Sequence, residues 1–115
     1  MVKLGLIQTK SYSSNNEGIK TVSRLLKNQG KNEVDIICLP EQWLKDNRIS
    51  NIEKEFSEFR KIAKEYSMTI IPGAFYERIK NKFSITSTII GPTGEIIGRQ
   101  KKIHPFDYER NLLPR

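Results

Sequence analysis

Short apolar runs alternate with longer amphipathic stretches along most of the chain. The runs at residues 2–7, 34–39 and 68–71 have the length and composition of β-strands. The middle run is almost continuously apolar and stops at Pro40, as expected of a strand that is covered on both faces. These positions predict three short strands.

Two amphipathic stretches lie between these strands, and each begins with a capping pattern. Ser14 and Glu17 have the spacing of a capping box, as do Ser50 and Glu53. Gly30 is placed to end the first helix. The apolar stripes that follow are Ile19, Val22, Leu25 and Leu26 in the first stretch, and Ile52, Phe56, Phe59, Ile62, Ala63 and Tyr66 in the second. Two helices are therefore predicted.

The last part of the chain has the pattern of a hairpin. Residues 85–90 and 95–101 are rich in β-formers and flank a Gly-Pro-Thr-Gly turn, while residues 80–82 form a predicted charged turn. The order strand, helix, strand, helix, strand, hairpin is typical of an α/β domain with helices packed on a sheet. Because no repeat or linker divides the chain, residues 1–115 are predicted to form one structural unit.

The composition fits a folded domain and raises the question of a polyanionic partner. With 115 residues, 37% apolar and 29% charged, the chain has the make-up of one globular domain. A net charge of +7 would suit a nucleic acid. The basic residues are scattered, however, and the one tight cluster, Arg99, Lys101 and Lys102, has no aromatic ladder for base stacking. A solvated lysine-rich surface explains the charge better, and nucleic-acid binding is the lowest alternative.

Targeting and redox features favour the cytoplasm. No apolar run approaches the roughly 18 residues that a membrane-spanning helix needs, and the N-terminus lacks the pattern of a signal peptide. The single cysteine, Cys38, excludes an intramolecular disulfide and argues against a cysteine-based metal cluster. No cofactor, metal or membrane partner is predicted.

One carboxylate follows directly on a predicted strand. Glu41 comes after the run that ends at Leu39 and Pro40. Ligands of open α/β sheets bind at the carboxyl ends of strands, where partial desolvation would suit a carboxylate to accept a proton. The alternatives are a solvated loop acid and a charge at the start of a helix.

A second segment, residues 99–107, brings a lysine, an aromatic residue and a histidine to the end of a strand. A lysine held near a carboxylate there could neutralise an oxyanion on a carbonyl under attack. The alternatives are a lysine that faces water and, for His104, a packed side chain.

The two segments resemble the carbon-nitrogen hydrolase (nitrilase/amidase) superfamily when they are taken with the motifs between them. The motifs occur in the family's order and span essentially the whole chain: Leu39-Pro40-Glu41, Pro72-Gly73-Ala74-Phe75, Gly91-Pro92-Thr93-Gly94-Glu95 and Lys102-Ile103-His104. The resemblance implies that the chain is the N-terminal portion of a four-layer α-β-β-α sandwich.

The resemblance also implies roles for individual residues. Glu41 corresponds to the general base, Lys102 to the catalytic lysine, Lys101 to its structural neighbour and Glu109 to a second glutamate near the lysine. Members of the family cleave the C–N bonds of amides, nitriles or carbamoyl amines through a cysteine thioester. The expected substrate of a completed protein is thus a small amide or nitrile.

The chain departs from the family pattern at two places. The nucleophile, a cysteine followed by an aromatic residue and an acid, is expected downstream of the lysine and is not among the 115 residues. Cys38 lies inside a predicted strand, where a buried small hydrophobe is expected. Ile85 stands where the family commonly has Asn. We therefore expect an incomplete hydrolase, inactive alone, that forms a homo-oligomer or pairs with a complementary chain. A noncatalytic assembly or binding module is the alternative.

Overall fold

The computed structural model describes residues 1–101, the side chain of Ile79 excepted, and residues 102–115 lie outside the described part. Its elements confirm the α/β class. They are β1 (Leu4–Leu6), α1 (Asn15–Lys31), β2 (Ile36–Cys38), β3 (Arg48–Ile49), α2 (Ile52–Glu55), α3 (Ser57–Tyr66), β4 (Thr69–Ile71), β5 (Ala74–Ile79), β6 (Lys82–Ile90) and β7 (Ile96–Lys101).

All of these strands belong to one sheet. β1, β2 and β4 are parallel neighbours, and β3 is parallel to β5. β6 runs antiparallel to both β4 and β5, and β7 runs antiparallel to β6. Since β4 and β5 follow each other along β6, β2 and β3 lie along the other edge of that β4–β5 pair. The segment between β2 and β3 therefore leaves the sheet and returns to it.

Two strands were missed by the sequence analysis. β5 is not predicted because Pro72 and Gly73 have the pattern of a strand end, yet the chain continues at once into β5. β3 has only two residues, which is too short for a periodic pattern. The predicted hairpin is confirmed, but its first strand starts at Lys82 rather than at residue 85.

The first helix begins as predicted but ends differently. The Ser14 hydroxyl accepts a hydrogen bond from the Glu17 amide at 3.1 Å, which confirms the cap. Gly30 lies within α1 rather than after it. A Cβ at Gly30 would stand 2.4 Å from the Tyr66 ring, so the glycine allows α1 and α3 to approach each other. Leu25, assigned to the apolar stripe, is 40% exposed.

The second predicted helix is divided at Phe56 into α2 and α3. Its cap is Asn51, whose side chain accepts a hydrogen bond from the Lys54 amide at 3.0 Å. The prediction of Ser50 as the cap was wrong by one residue, because Ser, Asn and Asp serve equally well at this position.

The core lies between the helices and one face of the sheet. Its largest fully buried side chains are Phe56, Phe59, Phe75, Leu26, Ile37, Ile52, Ile62, Met68, Ile70, Ile90 and Val22. One helical layer on one sheet agrees with the predicted portion of an α-β-β-α sandwich.

The opposite face of the sheet, here called the open face, is exposed at β1 and at part of β6, although Ala74, Tyr76 and Ile85 on the same face are buried. Leu4 and Leu6, which alternate with the buried Gly5, are 70% and 81% exposed, and Ile89 is 37% exposed. Ile36 and Cys38, in register with the two leucines, are only half-buried. The expectation that residues 34–39 are covered on both faces is thus wrong for residues 1–101, because helices pack on one side only.

An ionic network fastens the last described strand. Arg99 of β7 donates hydrogen bonds to Glu77 of β5 at 3.3 Å and to Glu53 of α2 at 2.5 Å. Glu77 is buried and also accepts a hydrogen bond from the Thr86 hydroxyl at 3.0 Å. The hydrogen bond from Arg99 lowers the pKa of Glu53 and raises the pKa of Arg99 itself.

The lowered pKa of Glu53 predicts a pH-dependent contribution to stability. Since the carboxylate has a lower pKa in the folded protein, its contribution is present above the ordinary value of 4.5 and is lost as the pH falls through the lowered pKa. Arg99→Gln should therefore lower the free energy of unfolding most near neutral pH and progressively less in acid. Urea unfolding at several pH values measures this difference.

Arg78→Gln is the matched control, because Arg78 is exposed and its guanidinium donates only to the Lys80 carbonyl within the described residues. It should show no such pH dependence. A deficit of Arg99→Gln that stays constant with pH would contradict the assignment.

Candidate functional site

The segment that leaves the sheet between β2 and β3, residues 39–47, carries Glu41 and is called the Glu41 loop. It is tied to the β4–β5 pair by three backbone hydrogen bonds. The Leu39 amide donates to the Ile71 carbonyl at 3.0 Å, the Gln42 amide to the Ala74 carbonyl at 3.0 Å, and the Tyr76 amide to the Asn47 carbonyl at 2.9 Å. The loop is therefore held at both ends and directly beside Glu41.

Gly73 makes this arrangement sterically possible. It lies in the kink between β4 and β5 with φ +120°, and a Cβ built there would stand 2.4 Å from the Pro40 carbonyl oxygen. Both the backbone conformation and the close approach require glycine. The Pro-Gly pair, which has the sequence pattern of a strand end, is thus the place where the Glu41 loop crosses the sheet.

Trp43 anchors the Glu41 loop to the hydrophobic core. Its indole nitrogen donates a 2.7 Å hydrogen bond to the Pro72 carbonyl. The ring is buried, stacks on Phe59 at 6.1 Å, and makes edge contacts with Tyr12 at 6.1 Å and Phe75 at 6.3 Å. The sequence motifs do not predict this role, although an isolated tryptophan two residues after Glu41 is a usable indication.

The loop forms one wall of a groove of about 990 Å³ at the carboxyl ends of β1 and β2. Glu41 lines this groove and is exposed, so the expected partial desolvation is wrong for the described residues. The physical reason is that Pro40 carries the chain beyond the end of β2, past the sheet that would bury it. The residues that line the groove are Leu6, Ile7, Gln8, Thr9, Lys10, Ser11, Tyr12, Cys38, Leu39, Pro40, Glu41, Gln42, Trp43, Leu44 and Lys45.

The other predicted site residues fall at or beyond the end of the described chain. Lys101 is the last residue of β7, is exposed, and is in register with Thr86 of β6. Lys102, His104 and Glu109 lie outside the described residues. Their proximity to Glu41 stays a prediction.

Two departures from the family pattern have clear structural settings. Cys38 lies in β2 and lines the groove, but it is half-buried rather than buried, because its strand borders the open face. Ile85 is buried in a small apolar cluster with Ala74, Tyr76 and Phe83. An isoleucine therefore packs in β6 where the family commonly has a polar amide.

Residues 1–101 show neither a metal-binding cluster nor a membrane-spanning helix. No group of three or more His, Cys, Asp or Glu side chains there could hold a metal ion. No helix in the described part is long and apolar enough to cross a membrane.

Gly73→Ala tests the crossing of the Glu41 loop over the sheet. A left-handed φ at a non-glycine residue costs about 1–3 kcal/mol, and the clash with Pro40 adds to that cost. We expect a lower free energy of unfolding and, because Trp43 is the only tryptophan, an altered fluorescence spectrum of the folded state.

Gly98→Ala is the control for the glycine substitution. A Cβ there would meet Ile89 at 3.5 Å, an ordinary contact, so the spectrum should not change. An unchanged spectrum and stability in Gly73→Ala would show that the loop does not depend on this crossing.

Comparisons with known proteins extend over nearly the whole chain. Omega-amidase NIT2 of Bos taurus is 26% identical over 115 residues, which cover 93% of this chain and 42% of that protein. Beta-ureidopropionase of Arabidopsis thaliana is 28% identical over 126 aligned residues, covering 90% of this chain and 31% of that protein. The crystal structure of carbon-nitrogen hydrolase from Helicobacter pylori G27 has a TM-score of 0.82 at 19% identity, covering 98% of this chain and 44% of that one.

The chain thus spans less than half the length of each of these proteins. The structural similarity shows the fold, which the Glu41 loop, the kinked β4–β5 pair and the β6–β7 hairpin also support. The family model for carbon-nitrogen hydrolases matches residues 3–115. This chain belongs to the carbon-nitrogen hydrolase family.

Proposed function

We propose that this chain supplies the general base and the oxyanion-stabilising lysine for hydrolysis of small amides, and that the nucleophilic cysteine lies outside these 115 residues. The observation that carries the proposal is the rigid setting of Glu41. Three backbone hydrogen bonds, the Pro40–Gly73 crossing and the buried Trp43 hold its loop at the mouth of a groove of substrate size.

The proposed reaction begins with proton transfer from the cysteine thiol to Glu41. The thiolate attacks the amide carbon, and the Lys102 ammonium stabilises the oxyanion that forms. Glu41 then returns the proton to the departing nitrogen, the C–N bond breaks, and a thioester remains. Glu41 next draws a proton from the water that attacks this thioester and gives it to the cysteine sulfur as the C–S bond breaks, which releases the carboxylic acid and restores the thiol. Glu109 is the proposed second glutamate beside the lysine.

Cys38 is not the proposed nucleophile, although it lines the groove. It lies within β2, in register with Leu6 and Ile71, and only three residues before the base. It is the chain's single cysteine, so residues 1–115 alone should not form the thioester.

Two features suggest which amides to test first. The relatives' names, omega-amidase and beta-ureidopropionase, point to ω-amides and 3-ureidopropionate. Lys10 and Lys45 line the groove and are exposed, and their charge would favour substrates that also carry a carboxylate.

Ammonia release from succinamate and 3-ureidopropionate tests the proposal. The chain alone should give none. The chain supplemented with a separately produced cysteine-bearing segment, from its own gene or from the Helicobacter relative, should release ammonia, and Glu41→Gln should reduce that rate by about 100-fold or more.

Glu65→Gln, an exposed substitution on α3, is the control and should leave the rate unchanged. Hydrolysis by the chain alone would refute the placement of the nucleophile. Full activity of the supplemented Glu41→Gln protein would refute the general-base role.

A noncatalytic assembly module is the second candidate function, and the open face favours it. Leu4, Leu6 and Ile89 present apolar surface that another chain or a second copy would cover. A Leu4→Thr/Leu6→Thr double variant should therefore raise the concentration at which the protein self-associates or captures a complementary chain in analytical ultracentrifugation.

Leu25→Thr is the control for this experiment, since Leu25 is an exposed leucine on α1, away from the open face. Equal behaviour of the double variant and the wild type would argue against association through the open face.

A further inference from the structure

A second groove, of about 950 Å³, lies between α1 on one side and β3, α2 and the start of α3 on the other. It shares no lining residue with the Glu41 groove and is called the α1 groove. Its charged lining residues are Lys20, Arg24, Lys27, Arg48, Lys54, Glu55 and Glu58.

The helix spacing explains why the basic side chains gather there. Lys20, Arg24 and Lys27 are separated by four and three residues, which places them on one face of α1. Arg48 of β3 and Lys54 of α2 contribute positive charge from the other wall.

Most of the groove's acidic charge is already engaged. Glu58 pairs with Lys27 at 3.9 Å, and Glu55 accepts a hydrogen bond from the Asn15 side-chain amide at 3.5 Å. Arg48 pairs with Asp46, which does not line the groove, at 3.5 Å. Among the ion pairs of residues 1–101, none involves Lys20, Arg24 or Lys54. The groove therefore keeps an excess of positive charge for a ligand.

Ser23 adds a buried polar group beside these basic side chains. It lies between Lys20 and Arg24 on α1, lines the groove, and is only 5% exposed. Its hydroxyl has no hydrogen-bond partner within the described residues. The hydroxyl oxygen is enclosed and unpaired, which is unfavourable, and a turn of the side chain toward the groove would let an anionic ligand supply an acceptor oxygen.

We propose that the α1 groove binds a soluble, phosphate-bearing small molecule. Lys20, Arg24 and Lys54 would provide the countercharge, and the Ser23 hydroxyl would donate a hydrogen bond to a phosphate oxygen. The groove's volume lies within the range of small-molecule sites. No aromatic side chain lines it, so a nucleic acid would find no stacking surface.

Calorimetric titration of the full chain with pyrophosphate and with ADP at low ionic strength tests the charge component. A Lys20→Gln/Arg24→Gln/Lys54→Gln variant should bind about tenfold more weakly. A Lys31→Gln/Lys61→Gln/Lys82→Gln variant, which removes the same charge from exposed positions outside the groove, should bind like the wild type. Equal weakening in both variants would overturn the proposal.

Ser23→Ala tests the hydroxyl without changing the charge. The substitution removes a buried unpaired group, so the thermal midpoint should stay constant or rise while pyrophosphate affinity falls about three- to tenfold. A loss of affinity at a constant or raised thermal midpoint would therefore come from the groove and not from unfolding. Wild-type affinity in Ser23→Ala would overturn the assignment.

Two further ligands separate alternative polyanions. One outcome is that an oligonucleotide displaces pyrophosphate, with an affinity that both triple variants lower equally. That result would indicate a diffuse nucleic-acid surface and overturn the proposal. Co-sedimentation with phosphatidylserine vesicles without pyrophosphate binding would overturn it in favour of a lipid headgroup. Pyrophosphate binding that only the groove variants weaken supports it.

Discussion

The close approach of the Pro40 carbonyl to Gly73 is the constraint on which the arrangement of this molecule depends. Two backbone segments meet at a distance that excludes even a methyl group, so β4 and β5 must kink at that point. The kink aligns β5 with β6 over its full length and exposes the Pro72 carbonyl to the Trp43 indole. Sheet continuity and the setting of Glu41 thus follow from one contact.

The sequence predicted those parts of the fold that depend on local periodicity and capping. The Ser14 cap, the apolar stripe of α3 and the Gly-Pro-Thr-Gly turn are each determined by residues close together in the chain. The division of the second helix at Phe56 was not predictable in this way. Phe56 and Phe59 both face the core at 5.1 Å from each other, so the apolar stripe continues through the break.

The part of the candidate site that lies in a short sequence motif could be predicted from the sequence. Glu41 lies at a strand end in a groove, as its position after the apolar run indicated. The groove's other wall, at residues 6–12, and Trp43's hydrogen bond to Pro72 could not be predicted, since each joins parts of the chain that are far apart in sequence. Trp43 and Pro72 are 29 positions apart. The α1 groove was missed for a related reason. Its basic residues look scattered along the sequence and come together only when α1 packs beside β3 and α2.

The Glu41 loop is fixed to the β4–β5 pair at separate points along its length. Gln42 is bonded to Ala74, and Asn47 is bonded to Tyr76, so the residues between them connect two points that the sheet already positions. Because loop closure costs only about 0.6 kcal/mol for each doubling of length, insertions after the exposed Lys45 would change the groove wall without shifting the strands. The position of the proposed base is therefore independent of the part of the loop that can vary in length. Changes in that part could alter substrate preference while the sheet stays the same.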